Sequence, residues 1–227
     1  MLVVGFPAAA FATNCWVVAP AAGEECVVVD PGIGVEAQLD DVLRENRLRP
    51  VAVLLTHGHL DHVFAVAPVC GARDVPAYLH PTDDWLLADP FTGLGAQTKA
   101  MLEGAGLEYA EPDDVRPLED GGRLHLAGLD LVVDHAPGHT PGSVLFRVPG
   151  DDAEQCLSGD VLFAGSIGRT DLPGGDPEAM SRSLVTKILP LADDTVVLPG
   201  HGPTTTIGKE RATNPFLLGH VRMAGRR

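Results

Sequence analysis

The chain lacks any run of about 20 consecutive apolar residues, the length a membrane-spanning helix needs, so no membrane partner is expected. It has no internal repeat, no low-complexity tract and no long run of like charge, which excludes solenoid and tail-like architectures. Cysteine is sparse and scattered: Cys15, Cys26, Cys70 and Cys156 form no CxxC pair, and a chain of 227 residues needs no disulfide framework. Cys26 and Cys156 lie in apolar runs and read as core fillers. Basic residues are also scarce. Lys and Arg number 16 against 31 Asp and Glu, a net charge of −15 that repels phosphate backbones and excludes nucleic acid as the expected partner. The acidity reads as a device for solubility. The apolar segment Met1 to Ala12 has no basic residues ahead of it and is interrupted by Gly5 and Pro7. It reads as a first strand and turn rather than a secretion signal, and a cytoplasmic location is expected.

What is present is an ordinary globular balance of 45% apolar and 21% charged residues, with 26 Gly and 19 Pro marking many loops. A single domain over residues 1–227 is expected. Cys15 to Ala19 and Cys26 to Val29 are β-rich runs parted by Pro20 to Gly23, a hairpin. Val35, Leu39, Val42 and Leu43 repeat at helical spacing, with Pro50 expected to stop that helix. Val51 to Leu55 is wholly apolar, as a strand buried on both faces requires. A helix from about Asp61 to Cys70 follows, then a strand from Pro76 to His80 and a short helix through Leu87 capped by Thr82. The stretch from Pro90 to Pro117 is poorly patterned apart from a short helix near Gln97 to Leu102, and it is the candidate substrate wall. Core packing is the expected role of Trp85 and Phe91. Strands are expected at Arg123 to Leu126, Leu129 to Val133, Val144 to Val148, Gln155 to Leu157 and Thr195 to Leu198. Asp176 and Pro177 start a helix whose apolar stripe is Met180, Leu184 and Ile188. Two halves rich in strand and helix point to an α/β fold of two packed sheets with helices outside, an αββα sandwich.

Residues 56–62 read Thr-His-Gly-His-Leu-Asp-His. Four ligand types, His57, His59, Asp61 and His62, fall within six positions directly after a buried strand. Imidazole nitrogen and carboxylate oxygen suit zinc, iron or manganese. Gly58 lets the chain turn tightly between its two histidines. Three further strand-like runs each end in glycine and a ligand type: His139 in Ala-Pro-Gly-His, Asp160 in Ser-Gly-Asp, and His201 in Pro-Gly-His. Four strand ends on one rim would gather seven ligands. Asp30, at a strand end, and Thr56 are candidates to orient the ligating rings, and Asp30 equally suits a plain Asp-Pro-Gly turn. Arg169 and Asp171 are candidates to line the substrate site or to form a structural ion pair. His80, His125, His135 and His220 lack the strand-end context and read as surface or packing residues. Ser143 has no nucleophile-elbow context.

The ordered pattern His57-x-His59-x-Asp61-His62, His139, Asp160, His201 resembles that of the metallo-β-lactamase superfamily, across Asp30 to His201. The resemblance implies the αββα sandwich, His57, His59 and His139 on a first metal, Asp61, His62 and His201 on a second, and Asp160 between them. It implies one or two zinc ions, with iron or manganese as alternatives, and catalytic roles for Asp61 and Asp160. The segments Ser158 to Asp171, Leu198 to Pro203, Thr206 to Glu210 and Asn214 to Phe216 are similar to those of short, single-domain glyoxalase II-like proteins, without the helical domain by which larger members hold glutathione. The expected reaction is hydrolysis of a small-molecule thioester, such as an S-(2-hydroxyacyl)glutathione, by hydroxide from metal-bound water. The alternatives are a persulfide dioxygenase with one iron on His57, His139 and Asp160, and a lactonase or β-lactamase.

Overall fold

A computed structural model describes residues 1–104 and 106–224, the side chains of Glu103 and of 220–224 apart. Two six-stranded sheets are formed. The first holds β1 (Leu2–Pro7), β2 (Asn14–Ala19), β3 (Glu25–Val29), β4 (Arg49–Leu54), β5 (Ala77–Leu79) and β6 (Val115–Pro117), adjacent in chain order. β1, β2 and β3 pair antiparallel, and β3 to β6 run parallel. The second sheet holds β7 (Arg123–Leu126), β8 (Leu129–His135), β9 (Val144–Val148), β10 (Gln155–Gly159), β11 (Val196–Pro199) and β12 (Thr205–Thr206), again in chain order. Only β10 and β11 are parallel in it.

Side-chain alternation along the strands builds three apolar layers. In β2, Cys15 and Val17 face one layer, and Trp16 and Val18 the next. In β4, Val53 faces outward, while Ala52 and Leu54 face the other sheet. The middle layer closes on Leu131, Val133, Phe146 and Leu157 of the second sheet. The outer layers are covered by helices. On the first sheet lie α1 (Glu36–Asn46), α2 (Leu60–Val63) and α3 (Val66–Gly71), with α4 (Asp84–Ala88) and α5 (Ala96–Glu103) further along the chain. On the second lie α6 (Pro177–Ser183), continued by a π turn through Ile188, then α7 (Ile207–Thr213) and α8 (Pro215–Ala224). The layer order is the expected αββα.

The departures have local causes. Helix α1 ends at Arg47, which turns left-handed at φ 55° and gives its N–H to Arg44. Pro50 lies inside β4 and is not the stop. The segment after Leu60 breaks into α2 and α3 around Ala65, whose N–H goes to Pro31 O instead of continuing the helix. His80, not Thr82, caps the turn ahead of α4, accepting from Thr82 N. Asp176 does cap α6, accepting from Glu178 N and Ala179 N, with Pro177 in the first turn. Trp85 is 39% exposed rather than packed in a core, and Phe91 is half-buried. Cys26 and Cys156 are fully buried and free, as are Cys15 and Cys70 in the main. Among the described residues, no helix is long and apolar enough to cross a membrane.

Candidate metal centre

The chain leaving β4, β8, β10 and β11 converges at one rim, and each exit delivers one part of the site. Beyond β4, His57 and His59 flank Gly58, and α2 then presents Asp61 and His62. A Cβ on Gly58 would stand 2.6 Å from the Leu86 Cβ, so only glycine lets this turn lie against α4. Beyond β8 comes His139, beyond β10 Asp160, and beyond β11 His201. A Cβ on Gly200 would fall 2.2 Å from the Asp160 carboxylate. His57, His59, His62, His139 and Asp160 are buried, and Asp61 and His201 are partly open.

The seven side chains meet. The ligand atoms of His57, His59 and His139 lie within 4.8 Å of one another, as do those of Asp61, His62 and His201. His59 Nδ1 is 2.8 Å from His139 Nε2. Asp160 sits between the two groups: Oδ2 is 3.5 Å from His139 Nε2 and 3.6 Å from His201 Nε2, and Oδ1 is 3.4 Å from His62 Nε2. Asp61 Oδ2 is 3.2 Å from His201 Nε2 and 3.6 Å from His62 Nε2. Two ligand atoms each about 2.1 Å from one tetrahedral ion stand about 3.4 Å apart, so these spacings suit a shared metal.

Partners behind the rings set which nitrogen is free. Asp30 is buried at a positive φ of 51° and accepts from Thr56 N at 2.8 Å, Thr56 Oγ1 at 2.6 Å and His62 Nδ1 at 2.9 Å. A carboxylate only accepts, so His62 donates to it from Nδ1, and Nε2 is the nitrogen a metal would take once its proton is released. The Thr56 hydroxyl has spent its proton on Asp30, so at 3.0 Å it accepts from His57 Nδ1 and leaves His57 Nε2 free. His139 Nδ1 donates to the Arg169 carbonyl at 2.7 Å. The buried His57 Nε2, His59 Nε2, His62 Nε2 and Asp160 Oδ1 have no hydrogen-bond partner. Buried polar atoms are rarely left so, and two of these four, His62 Nε2 and Asp160 Oδ1, face each other at 3.4 Å within the cluster. The donor set therefore fits a metal.

Charge follows the same geometry. Burial, reinforced by the neighbouring imidazoles, pushes His57 far below its usual range and His59 down to about 3. Burial opposes charge on His62 too, yet the carboxylates of Asp61, Asp160 and Asp30 raise it to about 10. His201 is raised by Asp61 and Asp160 against its burial. The Asp61 carboxyl, although buried, is held far below the usual carboxylate range by His62, His201 and Thr13.

Two contributors escaped the sequence reading. Thr13, on the loop between β1 and β2, donates its hydroxyl to Asp61 Oδ2 at 2.7 Å and bridges the backbone of His201. Asp83, fully buried, ties two ligand loops together. Its Oδ2 accepts from Gly58 N at 2.9 Å and Thr140 Oγ1 at 2.7 Å, and its Oδ1 from Gly142 N at 2.6 Å. Nothing local marks either residue; only their distant partners do. Arg169 lines the cavity beside the cluster, and both its Nε and Nη2 are taken by Asp171, at 2.7 and 2.8 Å. Of the other histidines, His80 stacks on His135 with ring centroids 4.0 Å apart, and His125 pairs with Asp130 at the surface. The His220 side chain lies outside the described residues.

Fold and ligand geometry define a member of the metallo-β-lactamase superfamily: residues 8–201 match that family, and the chain belongs to it. Among curated relatives, a probable metallo-hydrolase of Bacillus subtilis, YqgX, is 41% identical over 86% of this chain and 89% of its own length. The hydroxyacylglutathione hydrolase GloC of Haemophilus influenzae is 37% identical over 93% of this chain and 95% of its own. Among solved structures, the BLEG-1 B3 metallo-β-lactamase superposes with a TM-score of 0.82 at 40% identity, covering 95% of this chain and 99% of that one. A chain crystallised in a di-iron-bound form gives 0.78 at 43% identity, covering 94% and 100%. These similarities support a metal-dependent hydrolase.

Proposed function

We propose that the protein hydrolyses thioesters of a low-molecular-weight thiol, of which an S-(2-hydroxyacyl)glutathione is one example. The observation that carries this reading is the convergence of seven ligand-type side chains, five of which line a cavity of about 640 Å³. His57, His59 and His139 would hold one ion, Asp61, His62 and His201 a second, and Asp160 both. Zinc is the ion proposed, and the di-iron-bound relative makes iron its alternative. When bound, such ions supply hydroxide near neutral pH and polarise a carbonyl oxygen.

The chain's own groups hold and orient. Asp30 clamps the His62 ring directly and the His57 ring through Thr56, so neither can rotate its lone pair away. Thr13 pins Asp61 Oδ2, leaving that carboxylate and Asp160 as acceptors that can align a water between them. As metal ligands, His57, His59, His62 and His201 would have no proton to give a departing group. The leaving group must depart without a strong acid behind it. A thiolate, whose conjugate acid has a pKa of about 8.5, does so far more readily than an alkoxide or an amine. That favours a thioester over a lactone or β-lactam. A cytoplasmic location belongs to the same proposal and is supported by the four free cysteines.

The test is thiol release from S-D-lactoylglutathione and from a simple acyl thioester, with protein as purified, stripped by chelator and reloaded with zinc. Release that vanishes on stripping and returns with zinc is the expected result. No release from any thioester by zinc-loaded protein refutes the reading. Oxygen uptake with a persulfide after iron loading would then establish the dioxygenase alternative.

A further inference from the structure

The cavity beside the candidate metal centre has two unlike sides. One side is the ligand cluster, with Asp61 and Asp160 at its base. The rest of the lining is largely apolar, with Phe11, Leu94, Phe163, Ile167 and Leu172 accompanied by the polar Gln97 and Thr98. Phe163 lies edge-on to His201 with ring centroids 6.0 Å apart, so the apolar side begins directly at the ligands. Phe11 is 44% exposed and sits on a backbone at φ 60°, followed by Ala12 at φ 54°. Two consecutive side-chain-bearing residues in the left-handed region are strained, and such strain persists only where the surroundings impose it. The next residue, Thr13, is fixed by its hydroxyl on Asp61, by its bridge to His201 and by its carbonyl, which accepts from Ala8 N. A partly exposed aromatic ring thus lines the cavity two residues before a side chain that steadies a ligand.

Charge on the walls points the same way. Among the described residues lining the cavity, Arg169 is the one Lys or Arg, and its guanidinium is already forked onto the Asp171 carboxylate. A glutathione conjugate carries two carboxylates. It would meet a cation already neutralised by Asp171, and it would approach a chain of net charge −15.

We infer that the substrates of this site are thioesters bearing an uncharged apolar arm, of about phenyl or hexyl size, which packs on the Phe11, Phe163, Ile167 and Leu172 wall. This rests on the thioester reading for the reaction, and on the wall alone for the binding preference. An apolar arm removes from water both its own surface and that of the exposed Phe11 ring. Each buried methylene corresponds to about a three- to fourfold gain.

The experiment uses zinc-loaded protein and N-acetylcysteamine thioesters with acyl chains of two to six carbons, beside S-D-lactoylglutathione. We expect kcat/KM to rise about threefold per methylene, the hexanoyl ester to exceed S-D-lactoylglutathione at least tenfold, and Phe11→Ala to flatten the rise. A flat or falling series, or a faster S-D-lactoylglutathione, overturns the inference while leaving a thioester hydrolase standing. Calorimetric binding of two inert thioethers, S-hexyl-N-acetylcysteamine and S-methylglutathione, separates the two claims. Tighter binding of the hexyl thioether supports the apolar wall even if no thioester is cleaved, and equal or weaker binding refutes it.

Discussion

Asp83 offers the sharpest test of how the ligand loops are held. Its carboxylate is fully buried and accepts from two buried backbone amides, Gly58 N and Gly142 N, and from the Thr140 hydroxyl. Gly58 lies between His57 and His59, and Thr140 follows His139, so one side chain fastens both loops of the first ligand triad. In Asp83→Ala the three donors lose their acceptor. Thr140 can turn to Ser143 Oγ, already 2.8 Å away, and counts for little. The two amides have no such recourse, and each buried, unsatisfied donor costs about 1–3 kcal/mol. Against this, the carboxylate's own burial is unfavourable and pushes its carboxyl upward. The net loss should be about 2–4 kcal/mol, read as a shift in the urea midpoint of metal-free protein. Asp83→Asn keeps one acceptor oxygen and should lose roughly half as much. Zinc affinity, measured by competition with a chromophoric chelator, should fall about tenfold or more, as it does when ligand orientation is loosened. An Asp83→Ala protein within about 0.5 kcal/mol of the parent, on the scale of a neutral surface change, refutes the argument. Lost stability with unaltered zinc affinity would leave Asp83 a brace for the fold and not for the ligands.

Asp30→Ala removes the acceptor that orients His62 and Thr56; zinc affinity should drop 10- to 100-fold, and an unchanged chelator titration would dismiss that role. His62 is raised to about 10 by its three carboxylates, so in metal-free protein it holds a proton at pH 7 that a ligand must release. Zinc affinity should therefore climb with pH toward about 10, and the calorimetric enthalpy at pH 7 should vary with the ionisation enthalpy of the buffer; no variation means no proton is lost. The imidazolium pairing stabilises metal-free protein fully below the unfolded value of about 6.5 and is lost as pH rises through about 10. Burial pushes the Cys26 and Cys156 thiols up to about 12, so a thiol reagent at pH 8 should label them only after unfolding. Because the unfolded thiols ionise first, near their ordinary value, folded stability should decline as pH climbs toward about 12. Rapid labelling of native protein would contradict their burial.

Local order carried much of this molecule. The spacing His-x-His-x-Asp-His is legible because one turn after a strand suffices to place four donors, and the glycine ahead of each remaining ligand marks a strand end. The apolar runs at β4 and β9 and the alternation in β8 report burial by period, and the sandwich follows from them. Pro177 and Asp176 announce α6 through chemistry confined to neighbouring residues. Helices α7 and α8 went unread despite local starts at Thr206 and Asn214-Pro215; other features went unread because their cause lies far along the chain. β6 is three residues ending in proline and exists because β5 offers it an edge. Asp83 looks like a turn residue until Gly58, 25 positions away, and Gly142, 59 away, are brought to it. Thr13 meets Asp61 across 48 positions, and Phe11 is left-handed, a conformation its residue type does not favour. Trp85 shares the composition of a core residue yet lies at the surface. A period or a cap is set by neighbours within one or two turns, so sequence order determines it. Which loops share a carboxylate, and which ring is left facing water, depends on how separated segments close on one another, and tertiary packing alone decides that.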